Sequence, residues 1–221
     1  MERANRLEGV NEAFMSVIRR ACGNKKWCWL LVERVVELMG QDDVHGFPHV
    51  VRVLRNALEI AEACNEEIDM DVIVAAVLLH DVGRAYEEEK GIHHAVISAD
   101  MAKPMLLDAG FPAEKIEYVI EAILSHSFSL GRKAMRIESM ILSDADKLDA
   151  IGAVGVARAF MEGFRRGRGF KGTVEHFREK LLKLKDLMYT SEGRRKAEEK
   201  HKFTEEFLRK FLEESLLEKH F

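Results

Sequence analysis

The chain has 221 residues, 47% of them hydrophobic and 33% charged, with a formal charge of −4; it can bury a core of its own, and its balance argues against a general nucleic-acid binder, although local basic clusters can still grip phosphate. The longest apolar run, VIVAAVLL, is far too short to cross a bilayer, and MERANRLEGVNEAF carries charges where a signal peptide needs an apolar stretch, so a cytoplasmic protein with no membrane partner is expected. Cys22, Cys28 and Cys64 lack C-x-x-C spacing and support neither a disulfide framework nor a thiolate metal site; they read as core or surface thiols.

In chain order the pattern is all-α. Apolar residues recur every three or four positions in FMSVIRRAC, CWLLVERVVELMG, VVRVLRNALEIAEAC and IEYVIEAILSH, and only three prolines occur. Residues 1–40 read as N-terminal helices, 41–160 as a core and 161–221 as a basic loop followed by C-terminal helices that pack on the core, all within one domain, 1–221. WCWLLVERVVELMG is apolar enough to offer a homodimer face. Pro48 and Pro112 suit first helical turns, Gly40 and Gly110 suit C-caps, and Pro104 should start or kink a helix. EGFRRGRGFKG, residues 162–172, is the clearest loop or hinge, and Arg165, Arg166, Arg168 and Lys171 there make either a lid over a polyphosphate or a solvated loop. Two amphipathic helices should follow, with His176, Lys180 and Lys183 sharing one face.

Polar residues interrupt the apolar pattern at three places. His49 opens the helix HVVRVLRNALEIAEAC, His80 and Asp81 close the helix beginning near Asp71, and Asp144 and Asp146 should open the helix ADKLDAIGAVGVARAF. A helix terminus projects a side chain from a buried scaffold into a cleft. One such histidine alone is usually a hydrogen-bonded core residue, and one such aspartate a cap. Two imidazoles and two carboxylates from three helices would instead form a mixed nitrogen and oxygen shell suited to a divalent transition metal.

The order His, His-Asp, Asp resembles the HD superfamily of metal-dependent phosphohydrolases, and HDVG is similar to its HDIG variant. HGFPHVVRVLRNA, LLHDVGR, GIHHAVISADMA, AILSHS, SDADKLDAIGAVGVAR and TVEHFREKLLKLKDLMYT resemble, in the same order, segments of a bacterial and archaeal subgroup of small HD hydrolases, over roughly residues 40 to 210. The resemblance implies an HD-type helical bundle in which His49, His80, Asp81 and Asp146 bind a divalent ion: Mn, Fe, Co, Ni, Zn or Mg. Asp146 is preferred to Asp144 because the family's last ligand directly precedes a lysine; Asp144 could equally cap a helix. By the same resemblance Lys147 contacts a substrate phosphate, and the face of His176, Lys180 and Lys183 turns toward the active site; Arg168 would bind substrate from the basic segment. Asp149, three residues past Asp146, is placed to orient a ligand or water. His94 and His126 stand where two-metal relatives add histidines; they hold either a second metal, a phosphate or a proton in transfer. His45 and His93 line the cleft, cap helices or face solvent.

A divalent ion in such a shell is a Lewis acid for water and phosphoryl oxygen. Asp81 would position or deprotonate the attacking water, while Lys147 and Arg84 neutralise charge; the alternative for Arg84 is an ion pair with the EEE run at 87–89. The expected function is hydrolysis of a phosphoester or phosphoanhydride of a nucleotide, with nucleoside triphosphate pyrophosphohydrolysis as one form. Two alternatives remain open: a metal-retaining, non-catalytic signalling or binding module, and a nucleic-acid phosphodiesterase using the arginine-rich segment.

Overall fold

The computed structural model describes residues 10–217; residues 1–9 and 218–221, which belong to the expected N- and C-terminal helical segments, lie outside the described residues. The helices are α1 (Glu12–Cys22), α2 (Lys26–Met39), α3 (Phe47–Ala63), α4 (Met70–Leu79), α5 (Glu87–Lys90), α6 (His94–Ala109), α7 (Ile116–His126), α8 (Ile137–Asp149), α9 (Gly152–Arg165), α10 (Gly169–Glu179) and α11 (Ser191–Glu214), with short 3-10 turns between some of them. The described residues contain no strand.

The bundle is built around α4. Every residue from Val72 to Leu79 is buried, so this helix is apolar all round, as a central helix must be. Asp69 starts it, its Oδ1 accepting from the Asp71 and Val72 amides. Helices α2, α3, α7 and α8 pack around it; α6 lies on α7, and α9, α10 and α11 form a further layer against α8 and α3. That outer layer is tied in by Asp144, a wholly buried carboxylate on α8 that accepts from the Tyr189 and Thr190 amides and the Thr190 hydroxyl. No helix among the described residues is long and apolar enough to cross a membrane.

Several expectations need correction. Asp144 and Asp146 do not open a helix: α8 begins at Ile137 and holds both in its last two turns, because Ser143 donates to the His126 carbonyl and Asp144 is occupied by α11, leaving neither free to cap. Cys22 and Cys28 are bonded to each other across the tight α1–α2 turn, which brings their Cα atoms to 5.3 Å. Pro104 lies inside α6, on its solvent side, rather than at a helix start. The glycine-arginine segment is mostly helical, with only Arg166–Arg168 between α9 and α10; Gly163 is no hinge, since a Cβ there would lie 2.2 Å from Thr173 Oγ1, so the glycine lets α9 and α10 touch. Arg165 pairs with Asp42 and Arg166 with Glu162, which does not leave them as a free phosphate lid. On α2 the apolar residues Trp27, Leu31, Val32 and Val35 face inward, while Trp29, Leu30, Val36, Leu38 and Met39 are half-buried.

Candidate metal centre

Four histidines and two aspartates meet at the ends of α3, α4, α6, α7 and α8. His49 is the third residue of α3, whose first turn is set by Pro48. His80 caps the C-terminus of α4, His94 is the first residue of α6 and His126 the last of α7. Gly83 of the HDVG run is needed for a close approach: a Cβ there would stand 2.6 Å from the Ser98 amide nitrogen, and the Gly83 amide donates to Ser98 Oγ. The chain after Asp81 is thereby pressed against α6, next to His94.

Each imidazole is held at Nδ1. His49 Nδ1 is 2.8 Å from Asp149 Oδ2, His80 Nδ1 2.8 Å from the Val77 carbonyl, His94 Nδ1 3.0 Å from Glu87 Oε1 and His126 Nδ1 2.5 Å from the Ile123 carbonyl. A carbonyl or ionised carboxylate can only accept, so each Nδ1 carries the hydrogen, and in the neutral ring Nε2 is left as a bare lone pair. Burial, with Arg158 nearby, pushes His49 down to about 4, and burial with His80 nearby pushes His126 down to about 3; both are neutral at pH 7.

Those lone pairs converge on Asp81, which is buried. Its Oδ2 lies 3.7 Å from His49 Nε2 and 3.9 Å from His80 Nε2, and its Oδ1 3.5 Å from His94 Nε2 and 3.8 Å from His126 Nε2. Asp146 Oδ1 is 3.5 Å from His49 Nε2. His49 and His80 bring their Nε2 atoms within 3.3 Å of each other; when both rings are neutral, two lone pairs face each other there, an arrangement that a cation relieves. Burial would raise the Asp81 carboxyl, but the Arg84 guanidinium and the surrounding histidines hold it well below its ordinary range, so it is ionised. His49, His80 and Asp81 offer three donor atoms close enough together to hold one ion, and Asp146 adds a carboxylate oxygen beside His49.

The second sphere is equally specific. Asp149 also accepts from Arg52 Nε at 2.8 Å and Arg158 Nη1 at 2.7 Å, and Arg158 reaches on to the Val44 carbonyl. Asp149 orients His49 as its spacing from Asp146 led one to expect. Arg52, Arg158 and Glu87 were not singled out in the sequence. Arg52 carried a usable signal, a cation three residues after His49 on its apolar helix; Glu87 was legible only as one member of the acidic run.

A cleft of about 150 Å³ opens over this centre, lined by His49, Arg84, Asp146, Arg158, His176 and Lys180 among others. His176 of α10 and Lys180, just past its end, both line this cleft, while Lys183 and Arg168 are not part of its wall. Burial, reinforced by the Lys180 charge, pushes His176 down to about 4. Lys147 faces a different cleft: its Nζ donates to Ser143 Oγ at 2.7 Å and sits 4.8 Å from the Tyr189 ring, in a second cleft of about 200 Å³ that is lined by His126, Arg132 and Lys133 among others. His45 lines the first cleft beside Glu162, and His93 caps α6.

Residues 46–151 match the HD domain family. Over 180 residues the chain is 36% identical to YpgQ of Bacillus subtilis, covering 78% of this chain and 85% of that protein. A crystal structure of Bacillus subtilis YpgQ in complex with ADP superposes with a TM-score of 0.67 at 31% identity, over 83% of this chain and 97% of that one. An HD-superfamily hydrolase from Bacillus thuringiensis gives a TM-score of 0.63 at 28% identity, over 94% and 98% of the two chains.

Proposed function

We propose that this chain, which belongs to the HD superfamily of hydrolases and so to the metal-dependent phosphohydrolases, acts on the phosphate chain of a nucleotide, with nucleoside triphosphate pyrophosphohydrolysis as its best reading. His49, His80, Asp81 and Asp146 would hold the divalent ion, which when bound supplies Lewis acidity toward water and phosphoryl oxygen. The observation that supports the metal assignment is the pair of Nε2 atoms of His49 and His80, 3.3 Å apart, each ring held at Nδ1 and both beside Asp81.

The chain's own groups supply the rest. Arg84, Arg158 and Lys180 bring positive charge to the cleft wall, and among the described residues no ion-pair partner is found for Lys180. An unpaired cation in a part-buried cleft favours an anionic guest, and phosphate oxygens suit it. Asp146, part-exposed in the cleft wall, would orient the attacking water. His176, being neutral, can donate to a phosphate oxygen without opposing the cations beside it. The ADP complex of the relative supports a nucleotide as guest.

The test is a panel of nucleoside mono-, di- and triphosphates incubated with protein loaded with Mn, Co, Ni, Fe, Zn or Mg, the products read by phosphorus NMR. Pyrophosphate from a triphosphate, lost in Asp81→Ala, is the expected result. Orthophosphate alone would replace the pyrophosphohydrolase reading with a phosphatase one, and turnover unchanged in Asp81→Ala would discard this site as the seat of activity.

A further inference from the structure

Asp81 has two faces, and only one of them belongs to the quartet. On the other, Oδ1 looks toward His94 and His126, and these three donors lie close enough together to hold an ion of their own. That half already contains a cation. Arg84 Nε donates to Asp81 Oδ2 at 2.7 Å, and Nη2 donates both to Asp81 Oδ1 at 3.1 Å and to His94 Nε2 at 3.0 Å. A third nitrogen, Nη1, is 3.9 Å from Glu87 Oε2.

The lone pairs decide what can coexist. Each carboxylate oxygen has two, so the guanidinium fork can take one on Oδ2 and leave the other for an ion between His49 and His80. An imidazole nitrogen has one. Because Glu87 fixes His94 with its hydrogen on Nδ1, the single lone pair on Nε2 either accepts from Arg84 or binds a metal. It cannot do both.

We propose that the Arg84 guanidinium is a built-in second cation, occupying the Asp81–His94 half of the cluster and restricting the centre to one metal ion where the six side chains could otherwise hold two. The assignment rests on the metal reading of the quartet. It has a local cause: Arg84 follows Asp81 by one 3-10 turn, its amide donating to the Asp81 carbonyl, and the tight Gly83–Ser98 contact sets that turn beside the start of α6, where His94 stands. The same guanidinium also lines the cleft, so the positive charge that a second ion would present to a phosphate is presented by a side chain that does not dissociate. His126 then keeps its lone pair for water or phosphate.

The experiment counts ions. Protein stripped with a chelator is reloaded with excess Mn(II), freed of unbound metal and measured by plasma mass spectrometry, with titration calorimetry to millimolar Mn(II) and electron paramagnetic resonance on the same samples. Wild type is expected to bind one ion per chain with a mononuclear signal. Arg84→Met, similar in length without the charge, and Arg84→Ala are each expected to rise to two, with the multi-line signal of a coupled pair, and Arg84→Met combined with His94→Ala to return to one. Two ions in wild type would overturn the proposal while leaving the quartet reading intact, as would a count of one in either single variant that melts cooperatively. No ion in wild type would remove the metal reading itself.

Discussion

Replacing Asp149 with Asn separates two jobs done by one carboxylate. Its oxygens receive the His49 Nδ1 hydrogen, two nitrogens of Arg52 and one of Arg158, and the two arginine side chains are only 14% and 12% exposed. Removing one partner from a buried ion pair costs about 3–5 kcal/mol, and Asn retains an acceptor oxygen, so a loss near ~3 kcal/mol is expected for stability. Metal affinity should fall for a different reason. With an amide beside it, His49 is no longer confined to the tautomer that carries hydrogen on Nδ1, and loss of such an outer partner typically weakens metal binding about 10- to 100-fold. Urea unfolding of the metal-free protein measures the first effect, and Mn(II) calorimetry on the folded variant measures the second. Arg52→Met is the control: it breaks the same charge network without touching His49, and should lose stability while binding Mn(II) nearly as wild type does. If Asp149→Asn loses stability yet binds Mn(II) within twofold of wild type, the orienting role is refuted, and Asp149 is only a sink for two cations.

Acid should destabilise the metal-free protein in a defined window. Above pH ~6.5 His49 is neutral folded or unfolded; below it the unfolded chain gains a proton that the folded site refuses until pH about 4, so stability falls with pH across that interval, by roughly 3 kcal/mol from His49 alone at about 1.4 kcal/mol per unit. His126 extends the loss toward pH 3. Urea midpoints between pH 7.5 and 4.5 in the presence of chelator report it, and a flat series would contradict buried neutral imidazoles. Gly83→Ala forces a methyl against Ser98 and Ile97; overpacking of this kind costs about 1–3 kcal/mol, so a thermal midpoint equal to wild type would mean that the contact yields freely.

The helical class was legible because apolar residues recur at helical spacing through most of the chain; the quartet was named because His49, His80, Asp81 and Asp146 interrupt that spacing and their order resembles the HD superfamily. The boundary before Asp146 was misread for a physical reason. Ser143 and Asp144 have the chemistry of a helix start, and local chemistry says nothing of the His126 carbonyl or the Thr190 hydroxyl that engage them. The same blindness hid the Cys22–Cys28 bond, which depends on how sharply α1 turns into α2. Nor could local chemistry tell that Lys147, next to Asp146 in sequence, turns its side chain to Ser143 and Tyr189, in a cleft other than the one Asp146 lines. Glycine and arginine in 162–172 suggested a mobile loop by composition, whereas Gly163 is there to let Thr173 close against α9.

The way the four imidazoles are held follows from which end of a helix each occupies. The last turn of a helix has carbonyls without intrahelical partners. His80 and His126, at C-termini, each use the one three residues back, Val77 and Ile123, and need nothing from elsewhere in the chain. The first turn has spare N–H groups and no spare acceptor. His49 and His94, at N-termini, therefore depend on imported carboxylates, Asp149 from 100 residues away and Glu87 from seven. Glu87 serves the N-terminus twice, since its Oε1 also accepts the His94 amide. Two of the four rings are thus fixed by their own helices and two by carboxylates brought from outside them, and it is in the second pair that a substitution outside the cluster can turn a lone pair away from its present direction.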